Sequence, residues 1–335
     1  DAARHDADDD CDDCGAGRYS AVDRARCVLC PGGTYVFNMS SCEYCTPGKY
    51  APTAVTEDCI ACAAGFATGE AIAATSCSAC EAGKQAKPLS VDCTECDKGK
   101  ASPPRSENCT KCPVGFYADV AGMASCVACA PGRASGSLDG QSSCSLCSAG
   151  FAQSQTGQAS CKRCARGSYS SGAGSIICLF CAGGRFSNAT GAVACMGCEP
   201  GRSQASTGQV ACSPCQVGEA QASTGSTTCV ACSAGKYQAT TGSVSCTACE
   251  RGKAESRSGQ GSCTACTAGK YSAGGTSSCQ VCDHPTWSKA GASVCLSCID
   301  GYYYDGSGFN DTCKPCPSDG VICTEEGQTL TGLQI

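Results

Sequence analysis

Cysteine offers most of the chemistry in this chain, and its spacing narrows what that chemistry is. Nineteen Cys-x-x-Cys pairs run from Cys11-Asp-Asp-Cys14 to Cys313-Lys-Pro-Cys316, one every 15 to 18 residues, and they use 38 of the 39 cysteines. Such pairs serve thiol exchange, zinc coordination or structural disulfides. Exchange needs a thiol whose pKa is depressed by a helix N-terminus or a nearby cation, and a Gly/Ser-rich chain offers no such helix at every pair. Gaps of 11 to 14 residues between pairs come near zinc-ribbon spacing, yet the chain has only two histidines, His5 and His284, and nineteen pairs do not divide into fours. Structural disulfides are the reading that remains.

Other chemistry finds no residues to carry it. Two histidines in a loop-rich repeat build no Ser/His/Asp, Cys/His or paired-carboxylate constellation, so an enzyme is not expected and no cofactor or metal is implied. The acidic run Asp6 to Asp13 lacks a repeated oxygen-ligand spacing for calcium and reads as a solvated linker. A net charge of −6 disfavours nucleic acid as a partner.

Composition fixes the compartment. Leu, Ile, Val and Phe together number 38, about 11% of the residues, below the roughly 20% at which a chain risks disorder. Burial alone cannot offset the entropy of ordering such a unit. A disulfide closing a loop of this size contributes about 3 kcal/mol. Disulfides at this density persist only in an oxidising compartment. The four asparagines agree, since all lie in N-x-S/T sequons: Asn38-Met-Ser40, Asn108-Cys-Thr110, Asn188-Ala-Thr190 and Asn310-Asp-Thr312. These four are the candidate glycosylation sites, Asn108 the weakest because its neighbour Cys109 must also be oxidised. Thr227-Thr228 and Thr240-Thr241 leave O-glycosylation open. No run approaches the 18 apolar residues of a membrane span. The start at Asp1 lacks the basic and apolar regions of a signal peptide, so the segment reads as a processed or truncated ectodomain that is secreted or at the cell surface.

The elements that must position the cysteines follow from the repeat. Most units read C-x-x-C-x-x-G-x-aromatic, then six to nine mostly polar residues. Glycine stands six positions after the first cysteine in 17 of 19 units, with Pro285 and Asp319 as the exceptions; a positive φ or a close backbone approach explains it. Two positions on, ten units carry an aromatic, including Tyr19, Tyr35, Tyr50, Phe186 and Trp287, expected to cover the unit's disulfide as a miniature core. A second glycine (Gly157, Gly174, Gly191 and onward) has β-turn chemistry. The predicted fold is small disulfide-rich all-β repeats: an elongated rod or solenoid of about 19 short hairpin modules, with almost no helix, each unit touching only its neighbours. Residues 1–10 form an acidic linker and 11–143 irregular Cys-rich repeats. Residues 144–262 hold seven uniform 17-residue repeats. Residues 263–323 are degenerating repeats with a closing unit, and 324–335 begin a following segment. The uniform block reads as spacer, and the irregular units Cys27 to Cys129 as the place for specific contacts.

Parity suggests a pairing. If the second cysteine of each pair bonds the first of the next, the bonds are Cys14–Cys27, Cys30–Cys42, Cys45–Cys59, Cys62–Cys77 and so on to Cys298–Cys313, with Cys316–Cys323 closing the series. Cys11 is then left as a free or intermolecular thiol. An interlaced first-to-third, second-to-fourth pattern is the rival.

Units such as Cys229-Val-Ala-Cys-Ser-Ala-Gly-Lys-Tyr237 and Cys42-Glu-Tyr-Cys-Thr-Pro-Gly-Lys-Tyr50 resemble the ephrin-receptor-like cysteine-rich repeat, a relative of tumour necrosis factor receptor sub-modules. The resemblance covers about residues 11–316 and implies the second-to-first disulfide ladder. Long uninterrupted arrays of this kind resemble surface-coat and flagellar-hair proteins of protists and algae. The expected function is an extracellular glycosylated structural rod (stalk, surface-coat or filament subunit) that self-associates. The alternative is a receptor or adhesion ectodomain with a protein or glycan partner.

Overall fold

The computed structural model describes residues 14–20, 26–53, 58–304, 313–317 and 323. Cys11, His5, the acidic run, Asp319, Asn310 and the segments 1–10 and 324–335 lie outside them. Among the described residues there is no helix, and the strands form eighteen two-stranded sheets. The chain divides into two compact units, Asp1–Lys162 with Gly172–Ile177, and Arg163–Ser171 with Cys178–Ile335. Both are built from the same module.

The stretch from Cys181 to Cys198 shows that module. Residues 182–185 turn, closed by the Arg185 N–H on the Ala182 carbonyl at 3.0 Å. Gly184 holds φ +77°, as the third residue of a type II turn must, and glycine takes that angle without strain. Pro47, Pro131 and Pro200 precede the equivalent glycines, where a fixed φ presets the second turn position. The turn feeds Arg185–Phe186, which pairs antiparallel with Met196–Gly197. Cys181 and Cys195 bond with Cα atoms 5.7 Å apart, and the Cys198 N–H donates to the Gly184 carbonyl at 2.8 Å. At Pro285 the His284–Pro285 peptide is cis, and the Thr286 N–H still reaches the Asp283 carbonyl at 2.7 Å. His284 is thus a turn residue, its ring edge-on to Tyr302 at 5.5 Å.

The same linkage runs through the series: Cys14–Cys27, Cys30–Cys42, Cys45–Cys59, Cys62–Cys77, through Cys298–Cys313, to Cys316–Cys323. Each bond from Cys14–Cys27 to Cys298–Cys313 closes one hairpin, while a Cys-x-x-Cys pair covalently shares two.

Hairpins with two-residue strands are not stable alone, so the joints between modules decide the fold. The third residue after each turn glycine makes that joint. Gln204 accepts from the Gly184 N–H of the preceding module at 2.6 Å and donates its own N–H to Ser226 of the following one at 3.1 Å. Ser187, Gln221 and Gln238 repeat the pattern. Small residues at this position are fully buried, with Ala51, Ser102 and Ala118 0% exposed, and Glu255 is only 6% exposed, while Gln204, Gln221 and Gln238 are half-buried.

Two expectations need correction. Modules do not touch only their neighbours. A Cβ on Gly184 would overlap the carbonyl oxygen of Gly225, two modules on, and Gly201 stands in the same relation to Gly242. At these positions the launching turn of one module packs on the backbone of the module two after it, a winding that cysteine spacing does not reveal. Nor do the aromatics form the core. All ten are half-buried, and Tyr35 packs on Cys45 and Cys59, the disulfide of the following module. The largest fully buried side chains are second cysteines, such as Cys45, Cys112 and Cys198 at 0% exposure. Cross-linked sulfur supplies the volume that Leu and Phe supply elsewhere.

Candidate functional site

With the sulfurs turned inward, the surface chemistry lies on the two residues inside each Cys-x-x-Cys pair. These form the second strand of each hairpin, and from Ser78–Ala79 to Gln280–Val281 most are exposed. Only the flanking cysteines are structurally required, so the dipeptides differ freely: Thr94-Glu95, Thr110-Lys111, Leu179-Phe180, Ser213-Pro214. The most exposed large apolar side chain among them lies in the uniform block. Phe180 is 74% exposed, beside Leu179 at 50%, with Met196 of the next hairpin also at 50%. The uniform block thus carries exposed apolar side chains of its own. The turn at Gly208, two modules on, lies against the root of the Phe180 ring, leaving the rest of the ring in solvent. Tyr44 (67% exposed) is its counterpart in the irregular block.

Between successive hairpins lie shallow clefts. One of about 310 Å³ is lined by Ala134, Leu146 and Phe151; another of about 410 Å³ by Ala254, Ala265 and Lys270. They occupy corresponding places in two modules, so they are features of the repeat, not a single built pocket. Among the described residues no group of three or more His, Cys, Asp or Glu is placed to hold a metal, and no helix is long and apolar enough to cross a membrane.

Charged groups work locally. Lys100 bonds Asp97 at 2.8 Å across the hairpin-launching turn, and Lys253 bonds Glu250 at 2.9 Å in the same position. The lysine hydrogen bond, then its charge, lowers each carboxylate's pKa. Exposed pairs of this kind contribute little stability. The Tyr35 hydroxyl donates to Glu43 at 3.2 Å, and burial followed by the Glu43 charge raises the phenol's pKa.

The described sequons sit on three different backbones. Asn38 and Met39 hold φ of +52° and +56° in the tight turn joining Thr34–Phe37 to Ser41–Tyr44. Asn108 adjoins Cys109, which is bonded to Cys96 and donates its N–H to Gln85 at 2.6 Å. Asn188, Ala189 and Thr190 are all exposed and in no strand.

One set of residues escaped the sequence reading. Gln204, Gln221 and Gln238 each clip their loop shut. The Gln221 carbonyl oxygen accepts from the Ser223 N–H at 3.0 Å, and its amide donates to the Thr228 carbonyl at 2.8 Å. Gln153 does the same. A glutamine recurring three residues after the turn glycine was the available signal. Glu255 keeps half of the clip, accepting from the Arg257 N–H at 3.1 Å, and that backbone bond is the first cause of its lowered pKa.

Three segments, residues 99–138, 150–194 and 218–256, match the family model described as tyrosine-protein kinase ephrin type A/B receptor-like. No curated protein matches the chain. That repeat is a non-catalytic extracellular module, and with the disulfides it points to an extracellular or cell-surface protein. The repeated hairpins and their regular disulfides make this a cysteine-rich repeat protein, three of whose segments are similar to the ephrin-receptor-like repeat.

Proposed function

We propose that the chain is a structural element of an extracellular surface: a glycosylated stalk, coat or filament subunit that self-associates. The observation that carries this reading is the double linkage of each module, by disulfide to its own hairpin and by backbone contacts to modules one and two places away. A chain held this way resists bending and proteases without a large apolar core. The exposed sequons Asn38 and Asn188 suit a hydrated coat. Electron microscopy of native material tests the proposal: ordered fibrils or a lattice support it, and dispersed monomers in native extracts refute it.

A second reading is favoured by the exposed Leu179, Phe180 and Met196: a recognition ectodomain whose outward dipeptides bind a protein or glycan. Phe180→Ser separates the two. It abolishes partner binding on the second reading and leaves assembly intact on the first.

A further inference from the structure

The sequons differ in one respect that sequence does not show: how much folded structure must open before a transferase can reach the asparagine. Transfer of a glycan from a lipid-diphosphate-linked oligosaccharide joins the asparagine amide nitrogen to the anomeric carbon. The bond from that carbon to the diphosphate breaks, and the amide gives up one proton as the lipid diphosphate leaves. The acceptor tripeptide must lie extended in the enzyme's groove, away from its own fold.

Asn188-Ala189-Thr190 meets that demand in the folded protein. All three residues are exposed and in no strand, and a hydrogen bond from the Ser187 hydroxyl to the Ala189 carbonyl at 3.1 Å holds the tripeptide lightly. The flanks are anchored instead: Ser187 donates its N–H to Gln209, and Gly191 donates to Cys164. The loop is thus a free span between two fixed posts. Asn108-Cys109-Thr110 is the opposite case. Cys109 is bonded to Cys96, its N–H is held by Gln85, and Thr110 pairs with Ala101 in the hairpin. Local opening cannot release that tripeptide while the disulfide stands. Asn38-Met39-Ser40 falls between, since the Met39 carbonyl accepts the Ser20 N–H at 3.0 Å and Ser40 closes on Phe37 at 3.3 Å.

We propose that Asn188, among the described sequons, is the N-glycan acceptor most competent in the folded array, and that closure of Cys96–Cys109 silences Asn108. This rests on the extracellular reading for its setting, but its test does not. Oxidised, unglycosylated chain is incubated with a purified oligosaccharyltransferase and lipid-linked donor, beside chain reduced and alkylated, and occupancy is read site by site by glycopeptide mass spectrometry. The expected result is transfer to Asn188 in both samples, and at Asn108 a rate at least about tenfold higher in the reduced chain. A second substrate, Cys96→Ser with all other disulfides kept, is expected to accept at Asn108 without reductant. Equal rates at Asn108 in oxidised and reduced chain overturn the proposal. So does failure of Asn188 to accept when folded, whatever Asn108 does.

Discussion

Alanine at Gly184 and alanine at Gly225 test the next-but-one contact, because the two positions share a backbone angle and differ in what lies beyond it. Both hold positive φ, +77° and +71°, so each substitution costs about 1–2 kcal/mol for a left-handed alanine. At Gly225 the new methyl meets nothing nearer than the Gly184 carbonyl oxygen at 4.0 Å, and the cost stops there. At Gly184 the methyl falls inside the Gly225 carbonyl. Backbone cannot rotate away as a side chain does, so the turn at Gly225 must move. That forfeits its 2.8 Å bond to Cys198, worth about 1 kcal/mol, and adds an overpacking cost of about 1–3 kcal/mol. The total for Gly184→Ala is about 3–6 kcal/mol. A repeat array need not unfold as one unit, so the readout is native-state hydrogen exchange at the Cys198 and Gln204 amides. Gly184→Ala is expected to reduce protection there by about a hundredfold or more, Gly225→Ala by about 5- to 30-fold. Equal losses from the two variants would refute the reasoning.

Leu89 holds φ +67° and is 52% exposed, so Leu89→Gly is expected to stabilise its module by about 0.5–1 kcal/mol, seen as slower exchange at the Leu89-region amides. Gln221→Ala removes both halves of a loop clip and is expected to cost about 1–2 kcal/mol, with faster exchange at Ser223. Glu255→Gln is expected to restore the missing half on the Ser262 carbonyl and slow exchange at Arg257. Because the Glu255 pKa lies below its usual range when folded, its contribution is present above the unfolded pKa and lost as pH falls through the folded one. Protection at Arg257, corrected for intrinsic exchange, should therefore drop on acidification in the wild type and not in Glu255→Gln. Replacing Cys181 and Cys195 with serine removes a closure worth about 3 kcal/mol. Lost protection should reach the Gly225 amide, two modules on, and leave the Cys266 amide unchanged.

Much of this fold was legible because cysteine and glycine have few jobs to choose from. The hairpins, their all-β character and the turn at each first glycine follow from Cys-x-x-Cys spacing and from a turn position that demands positive φ. The joints were not legible. Gln204 and Ser187 look like ordinary loop polar residues, yet they are where three modules meet. Their role depends on how the repeat winds, and a linear period holds no information about winding. The aromatics misled for a related reason. Tyr35 lies between Cys30 and Cys42 in sequence, but the disulfide it covers belongs to the next module. The chemistry between the cysteines was less legible, because even spacing in the Cys144 to Ser262 block says nothing of the residues it encloses. Spacing constrains the cysteines; it leaves Leu179 and Phe180 between them free to be anything.

Disulfide mapping of the native protein under non-reducing conditions tests the central claim most directly. The claim is that the pairs are structural, closing each hairpin in an oxidising compartment. Peptides cleaved between modules should be linked only second-to-first, Cys181 with Cys195, Cys198 with Cys212 and so on, and no cysteine from Cys14 to Cys323 should react with an alkylating reagent before reduction. Bonds that skip a pair, or alkylated Cys-x-x-Cys thiols released by a chelator, would contradict it.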